Sequence, residues 1–252
     1  MVRADFSFTV LDETDGYIAV DKPAPLQIHP SKPGDTGYTL WDGLRHLLCY
    51  ELINGGQISI INRLDRETSG VVLIAKEIST ARRFGKAMFR RQFHKTYLAL
   101  VHGWPQWDTH VETSPILRAG DVEASRIWVK QMVHADGQPC HSEFRLIKKI
   151  SLHGELFSLI EAHPHTGRMH QLRVHLTHNG LPVVGDKIYG RDEGCYLRFI
   201  DEGWTAEMAS ILLLPRQALH SHQMVLEDEY GHLGWTAPLP PDMKAFMDQA
   251  DK

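Results

Sequence analysis

The stretch that decides the fold runs from residue 58 to residue 76 and reads ISIINRLDRETSGVVLIAK. Its two apolar ends predict strands on either side of a short polar loop. Loops on a rigid scaffold often carry catalytic side chains. Asp65 lies between Arg63 and Arg66, so we expect its carboxylate to be ionised at neutral pH. Local chemistry by itself favours an ordinary surface turn with ion pairs.

Short apolar runs elsewhere in the chain also predict strands, separated by turn residues. Asp136-Gly137 lies between the apolar runs Ile127–Val133 and His141–Ile147 and predicts a hairpin of these two. The other predicted strands are Phe6–Leu11, Gly16–Val20, Gln57–Ile61, Val71–Ala75, Tyr97–Val101 and Phe157–Ala162.

Three segments have the apolar spacing of helices, at residues 41–48, 80–91 and 169–179. We expect Ser79 to cap the second helix and Gly180 to end the third. Many strands with few helices indicate the α+β class.

The composition excludes several classes of protein. Of 252 residues, 27 are basic and 31 acidic, a formal net charge of -4 that weighs mildly against nucleic-acid binding. No apolar run suits a signal peptide or a membrane span, so we expect a cytoplasmic protein. Three widely spaced cysteines do not form a disulfide or zinc pattern. The histidines between residues 163 and 178 also lack metal-site spacing, and we expect no metal.

Seven motifs, in a fixed order over residues 15–245, carry a resemblance to a known family. The segment Asn62–Gly70 resembles H-R-L-D-x-x-T-S-G, the signature of the RluA-type pseudouridine synthases. Any one motif is weakly specific, but the ordered set is highly specific. The other six are Asp21-Lys22-Pro23 with His29-Pro30, Phe93–Tyr97, His165–His175, Leu181–Gly190, Ala218–His220 and Ala237–Pro240.

The resemblance implies a fold and an activity. The fold is α+β, with a curved, mixed, mostly antiparallel sheet, flanking helices and a central active-site cleft. We expect one catalytic domain over residues 1–252, without the amino-terminal S4 RNA-binding domain of many relatives. The implied activity is cofactor-free isomerisation of specific uridines in ribosomal or transfer RNA, by a monomer.

The resemblance also assigns roles to particular residues. Asp65 is implied as the catalytic carboxylate, Arg173 as its ion-pair partner and Tyr97 as the ring that stacks on the target uracil. The implied substrate-binding residues are Arg63, which takes the place of the flipped base, and Leu219, which forms a pocket wall.

A basic stripe is predicted from the residues themselves. Arg82, Lys86 and Arg90 recur at i, i+4 spacing on one helix face, and Lys95 follows. The stripe suits RNA phosphates, although a solvated helix face explains it equally well.

Three residues depart from the family pattern, and two other functions stay open. Asn62 stands where His is usual, Met169 where Thr is usual and Ser221 where Ala is usual. The alternatives are a non-catalytic RNA-binding or chaperone protein on the same scaffold and a metal-dependent hydrolase built on the histidines.

Overall fold

The computed structural model describes residues 8–30 and 37–249, and it divides them into two compact units. Unit 1 comprises residues up to Lys95 together with Ser221–Pro238, and unit 2 comprises Thr96–His220 together with the segment from Leu239. The predicted single domain stays a prediction. The predicted strand Phe6–Leu11 lies partly outside the described residues.

Unit 1 is built on a sheet in the order β1, β2, β4, β11, with β3 beside β4 and β12 beside β11. The β1–β2, β2–β4, β3–β4 and β11–β12 pairs are antiparallel. These strands are β1 (Thr9–Glu13), β2 (Tyr17–Lys22), β3 (Ser59–Ile60), β4 (Ser69–Ala75), β11 (Leu219–Asp228) and β12 (Gly231–Thr236).

Three helices complete unit 1: α1 (Leu40–Leu47), α2 (Cys49–Ile53) and α3 (Ile78–Phe89). Phe84 of α3 packs against Tyr17 and Trp235, with ring centroids 5.8 and 6.3 Å away. The apolar face of α3 is thereby buried against the sheet, and its basic residues are left towards solvent.

Unit 2 contains a sheet in the order β5, β10, β9, β6, whose β5–β10, β10–β9 and β9–β6 pairs are antiparallel. A separate ribbon pairs β7 with β8. The strands are β5 (Phe93–His102), β6 (Thr109–Glu112), β7 (Ile116–Arg118), β8 (Gln131–Val133), β9 (Ser142–Leu152) and β10 (Glu155–Pro164).

The helices of unit 2 are α4 (Gln171–His178), α5 (Gly194–Glu202), α6 (Ala206–Leu212) and α7 (Pro241–Asp248). Leu172 and Leu176 of α4 belong to the main apolar cluster of this unit, together with Phe157 and Phe246. These contacts fix α4 against the sheet, which positions the functional side chains on that helix.

The predicted hairpin at Asp136-Gly137 is wrong in its partners. The turn exists, since the Gly137 amide donates to the His134 carbonyl at 2.9 Å. However, β8 pairs with β7, and Gln138 exchanges two backbone hydrogen bonds with Ile116. Strand β9 pairs instead with β10 and β6. Local turn chemistry was read correctly, but long-range pairing decided the partners.

The helix ends also differ from the prediction. The N-cap of α3 is Glu77 rather than Ser79, and the Glu77 carboxylate accepts hydrogen bonds from Ser79 and Thr80. Helix α4 begins at Gln171 because His170 adopts a left-handed conformation. Gly180 ends α4 as expected, with φ +73°.

Candidate active site

Asn62 anchors the beginning of the loop that carries Asp65. Its amide donates to the Val71 carbonyl at 3.0 Å, and its oxygen accepts from the Leu73 amide at 2.8 Å. Asn62 is buried, so both bonds are shielded from water. Asn62, one of the three departures from the family pattern, therefore ties the loop to β4.

Lys22 stabilises the same loop through a hydrogen bond to the Arg66 carbonyl. Its side chain is fully buried, and its ammonium donates to the carbonyls of Pro23, Leu26 and Arg66 at 3.0, 2.8 and 3.2 Å. The Arg66 carbonyl also accepts from the Leu26 amide at 2.9 Å. A buried ammonium is tolerated because these oxygens replace water.

Gly70 closes the loop at a point of tight backbone contact. Its φ is +111°, and a Cβ atom there would lie 2.2 Å from the Ser221 carbonyl oxygen. Only glycine combines this φ with such an approach. Thr68 and Ser69 beside it are buried, and the Thr68 amide donates to the Asp65 carbonyl at 3.1 Å.

The loop presents Asp65 half-buried and Arg63 exposed. His29 is close to Arg63, and its ring stacks obliquely on Trp41 with centroids 5.3 Å apart. Burial, and then the positive charge of Arg63, lower the pKa of His29. His29 is therefore neutral near pH 7, and Arg63 supplies the fixed positive charge here.

Tyr97 and Leu219 belong to the same apolar cluster in unit 2. Tyr97 is on β5 directly opposite Ala162 of β10, and its ring packs against the cluster. Leu219, at the start of β11, is buried within that cluster. A base pocket with these two residues as its apolar walls stays a prediction.

Arg173 is held by a carboxylate that the sequence reasoning did not single out. Its Nε and Nη2 atoms donate to Asp186 Oδ2 and Oδ1 at 2.7 and 2.8 Å. Asp186 is fully buried and also accepts from the amides of Ile188 and Tyr189. Burial raises the pKa of Asp186, but the charge and hydrogen bonds of Arg173 outweigh it and lower that pKa overall.

The predicted residues are divided between the two units. Asp65 and Arg63 are in unit 1, while Tyr97, Arg173 and Leu219 are in unit 2. Their meeting in one central cleft stays a prediction.

The basic stripe has the exposure that was predicted. Arg82 and Lys86 on α3 and Arg90, the C-cap of that helix, are exposed and line a surface pocket of about 240 Å³. Arg83 lines the same pocket, where it pairs with Asp228 through two bonds of 2.8 Å. Lys95 is half-buried on β5, where burial lowers the pKa of its amine, and it does not line this pocket.

A second RNA-binding candidate was missed by the sequence reasoning. Trp128 is 76% exposed between β7 and β8, and the Arg118 guanidinium lies 3.8 Å from its ring centroid. With Arg126, these residues line a surface cavity of about 370 Å³. An arginine-supported aromatic face suits an unpaired base. The signal in the sequence was Trp128 between Arg126 and Lys130, but this tryptophan fell in the segment Ile127–Val133, which was predicted as a strand.

The model of the family described as RNA pseudouridylate synthase matches residues 16–178. The chain belongs to this family. The matched range contains the Asp65 loop, Tyr97, the α3 stripe and Arg173.

Curated relatives agree with membership of the RNA pseudouridylate synthase family. The chain is 34% identical over 242 residues to a ribosomal large subunit pseudouridine synthase D of Nitrosomonas europaea. It is 35% identical over 234 residues to an uncharacterized RNA pseudouridine synthase of Chloroflexus aurantiacus. The matches cover 94% and 91% of this chain, but 64% and 65% of those relatives.

Solved structures support the fold. The human RNA pseudouridylate synthase domain containing 1 matches 94% of this chain and 86% of its own, with a TM-score of 0.71 at 22% identity. The domain containing 4 protein also gives a TM-score of 0.71, at 21% identity, covering 96% of this chain and 93% of its own. The predicted α+β fold with antiparallel sheets and flanking helices is confirmed. Among the described residues, no helix has both the length and the apolarity to span a membrane.

Proposed function

We propose that this chain is an RNA pseudouridine synthase that isomerises specific uridines of ribosomal RNA, with Asp65 as the essential carboxylate. The observation that carries the proposal is the Asn62–Gly70 loop. Its family motif is fixed by Asn62, by buried Lys22 and by the contact of Gly70 with Ser221, while Asp65 is left half-buried. A carboxylate carried by a loop fixed in this way is preorganised for chemistry.

The proposed reaction needs one carboxylate and no cofactor. The N1–C1′ bond breaks, the uracil rotates, and C5 bonds to C1′. C5 then loses its proton and N1 gains one, so the overall composition is unchanged. Asp65 can attack as a nucleophile, stabilise a cationic sugar or remove a sugar proton, and these routes stay open.

Arg173 is proposed to hold Asp65 ionised and oriented. Two hydrogen bonds to the buried Asp186 carboxylate fix the plane of the Arg173 guanidinium. A guanidinium fixed in this way is proposed to present its positive charge to Asp65. Asp186 would then act as the positioning residue for Arg173.

Tyr97 and Arg63 are proposed to handle the target base. A stacked uridine is inaccessible, so it must leave its helix before it reacts. Tyr97 offers a ring anchored in an apolar cluster for stacking, and exposed Arg63 has the length and charge to occupy the vacated space. Leu219 supplies apolar surface to the same pocket.

The surrounding RNA is proposed to bind at two places. The stripe of Arg82, Lys86 and Arg90 contacts phosphates. Lys95 on β5 keeps its predicted role in substrate binding, outside the pocket that the stripe lines. Trp128 with Arg118 stacks on an unpaired base. Transfer RNA as a further substrate, the monomeric state, the cytoplasmic location and the lack of a catalytic metal stay predictions from the sequence.

The test is pseudouridine mapping by carbodiimide adduct formation and primer extension on total RNA. The comparison uses a strain that lacks this gene and three derivatives of it. Each derivative carries a restored gene that encodes the wild-type protein, Asp65→Ala or Asp201→Ala. Asp201 is an exposed aspartate on α5 and serves as the matched control. We expect one or a few ribosomal sites to disappear with the gene and to return with wild type and Asp201→Ala only.

A purified assay separates activity from redundancy in the cell. RNA carrying tritium at uridine C5 releases the label to water only when C5 bonds to C1′. Release by wild type and none by Asp65→Ala is the expected result. RNA binding without tritium release by wild type, on every candidate RNA, would favour the non-catalytic RNA-binding alternative.

A further inference from the structure

Three side chains at one end of the β9–β10 pair form a compact cluster. His141 immediately precedes β9, Glu143 is on β9, and His165 immediately follows β10. The Nε2 atoms of His141 and His165 lie 3.4 and 2.9 Å from the same carboxylate oxygen, Glu143 Oε1. All three potential ligand atoms lie within 4.8 Å of one another.

The backbone fixes this cluster. The His165 amide donates to the His141 carbonyl at 3.0 Å, which continues the antiparallel pairing of Glu143 with His163. The His141 amide donates to the Thr166 hydroxyl at 2.9 Å. The two imidazole rings stack with centroids 4.3 Å apart. The backbone positions of the three side chains are therefore already set, and only their rotamers have to be fixed when they bind one ion.

The spacing suits a transition-metal ion. Donor atoms about 2.0–2.2 Å from one ion lie roughly 2.8–3.6 Å apart in tetrahedral or octahedral shells, and this range includes the two distances to Glu143 Oε1. The Nε2 atom of His141 is buried and has no hydrogen-bond partner among the described residues. Two imidazoles and one carboxylate match the ligand preference of Zn²⁺ and related ions rather than Mg²⁺ or Ca²⁺.

We propose that His141, Glu143 and His165 bind one divalent transition-metal ion, with Zn²⁺ as the best fit. The sequence did not predict this site because its ligands come from two separate segments. The proposal is independent of the proposed function.

The metal would have a structural role. Phe144, the neighbour of Glu143, is buried in the apolar cluster and pairs with Ala162, which in turn pairs with Tyr97. Successive strand residues point to opposite faces, so Glu143 faces away from Tyr97. An ion there would tie β9 to the turn that leads into α4, and thereby stabilise the start of the helix that carries Arg173.

The test is isothermal titration of tag-free, chelator-treated full-length protein with ZnCl₂. Wild type is compared with His165→Ala and Glu143→Gln. The matched control is His163→Ala, because His163 is two residues away and pairs with Glu161, outside the cluster. We expect one equivalent of Zn²⁺ to bind wild type and the control equally. Affinity should fall at least tenfold in both cluster variants.

A second readout is the visible spectrum with Co²⁺, whose absorption reports the ligand geometry. Wild type and His163→Ala should give the same bands, and the cluster variants should lose them while their circular dichroism stays unchanged. Failure of wild type to bind a stoichiometric ion would overturn the proposal. Equal binding by His165→Ala or Glu143→Gln would do the same, because the ion would then be bound elsewhere.

Discussion

Arg173 and Asp186 form a bidentate ion pair whose side chains are 5% and 0% exposed, with N–O distances of 2.7 and 2.8 Å. The pair is buried within unit 2, where the Arg173 guanidinium also lies 4.9 Å from the Tyr189 ring centroid. Removing one partner of such a pair leaves the other buried without its counter-charge.

Asp186→Ala should therefore lower the free energy of unfolding by about 3–5 kcal/mol. The measurement is urea denaturation followed by circular dichroism. Glu155→Ala is the matched control, because Glu155 forms a bidentate pair with Arg191 at an exposed position. That variant should lose less than about 1 kcal/mol. Equal losses in the two variants would contradict the role assigned to burial.

Asn62→Leu should destabilise the Asp65 loop strongly. The variant leaves the Val71 carbonyl and the Leu73 amide buried without their partners, at about 1–3 kcal/mol each. Asn62→His restores the usual family residue, whose two ring nitrogens provide one donor and one acceptor. This variant should lose much less of the free energy of unfolding than Asn62→Leu. Denaturation midpoints and tritium release compare the two variants. An Asn62→Leu variant with the denaturation midpoint and tritium release of wild type would show that the loop does not depend on these bonds.

Replacing Arg82, Lys86 and Arg90 together with glutamine should weaken RNA binding and flatten its salt dependence. Each lost phosphate contact removes about 0.7–0.9 from the slope of log affinity against log salt concentration. Fluorescence anisotropy between 50 and 200 mM salt measures this slope. The charge-matched control replaces Arg191, Arg198 and Lys244. If the slope of the α3 variant equals that of wild type, α3 is a solvated surface only.

Trp128→Ala should weaken binding to RNA with unpaired bases by about 1–3 kcal/mol, the usual contribution of one aromatic–base stack. Binding to fully paired RNA should change little. The control is Tyr50→Ala, since Tyr50 is 74% exposed and Trp128 is 76% exposed. Quenching of tryptophan fluorescence by RNA gives an independent measurement. Unchanged affinity for unpaired RNA would remove Trp128 from the interface.

Glu112 should contribute to acid unfolding. Burial raises its pKa, but hydrogen bonds from Ser114 and Asn179 outweigh burial and lower the pKa from 4.5 to about 2. A lowered folded-state pKa stabilises the protein above the unfolded value, and this stability is lost as pH falls from about 4.5 towards 2. It amounts to roughly 3 kcal/mol.

The measurement for Glu112 is the free energy of unfolding at pH 5.5 and at pH 3. Wild type should lose more stability between the two values than Glu112→Gln does, because glutamine does not titrate. The exposed Glu229→Gln variant is the control and should behave like wild type. A Glu112→Gln variant with the wild-type pH dependence would contradict the assignment.

The sequence predicted features that depend on local patterns. Alternating and continuous apolar runs located β2, β4 and β10, and the loop around Asp65 falls where its motif indicates. The pairing partners of the strands were harder to predict from local patterns. After the Asp136-Gly137 turn, Gln138 pairs with Ile116, which lies about 20 residues earlier in the chain. The Asp186 partner of Arg173 and the approach of His141 to His165 depend on tertiary packing, which no local spacing encodes.

The contact of Gly70 with Ser221 has a consequence for synthesis of the protein on the ribosome. Ser221 is translated about 150 residues after Gly70, which takes roughly 8–30 seconds at 5–20 residues per second. Unit 1 is completed only when Ser221–Pro238 has emerged from the ribosome. A nascent chain that already contains Asp65 therefore lacks the backbone on which its loop rests until the segment around Ser221 has been translated.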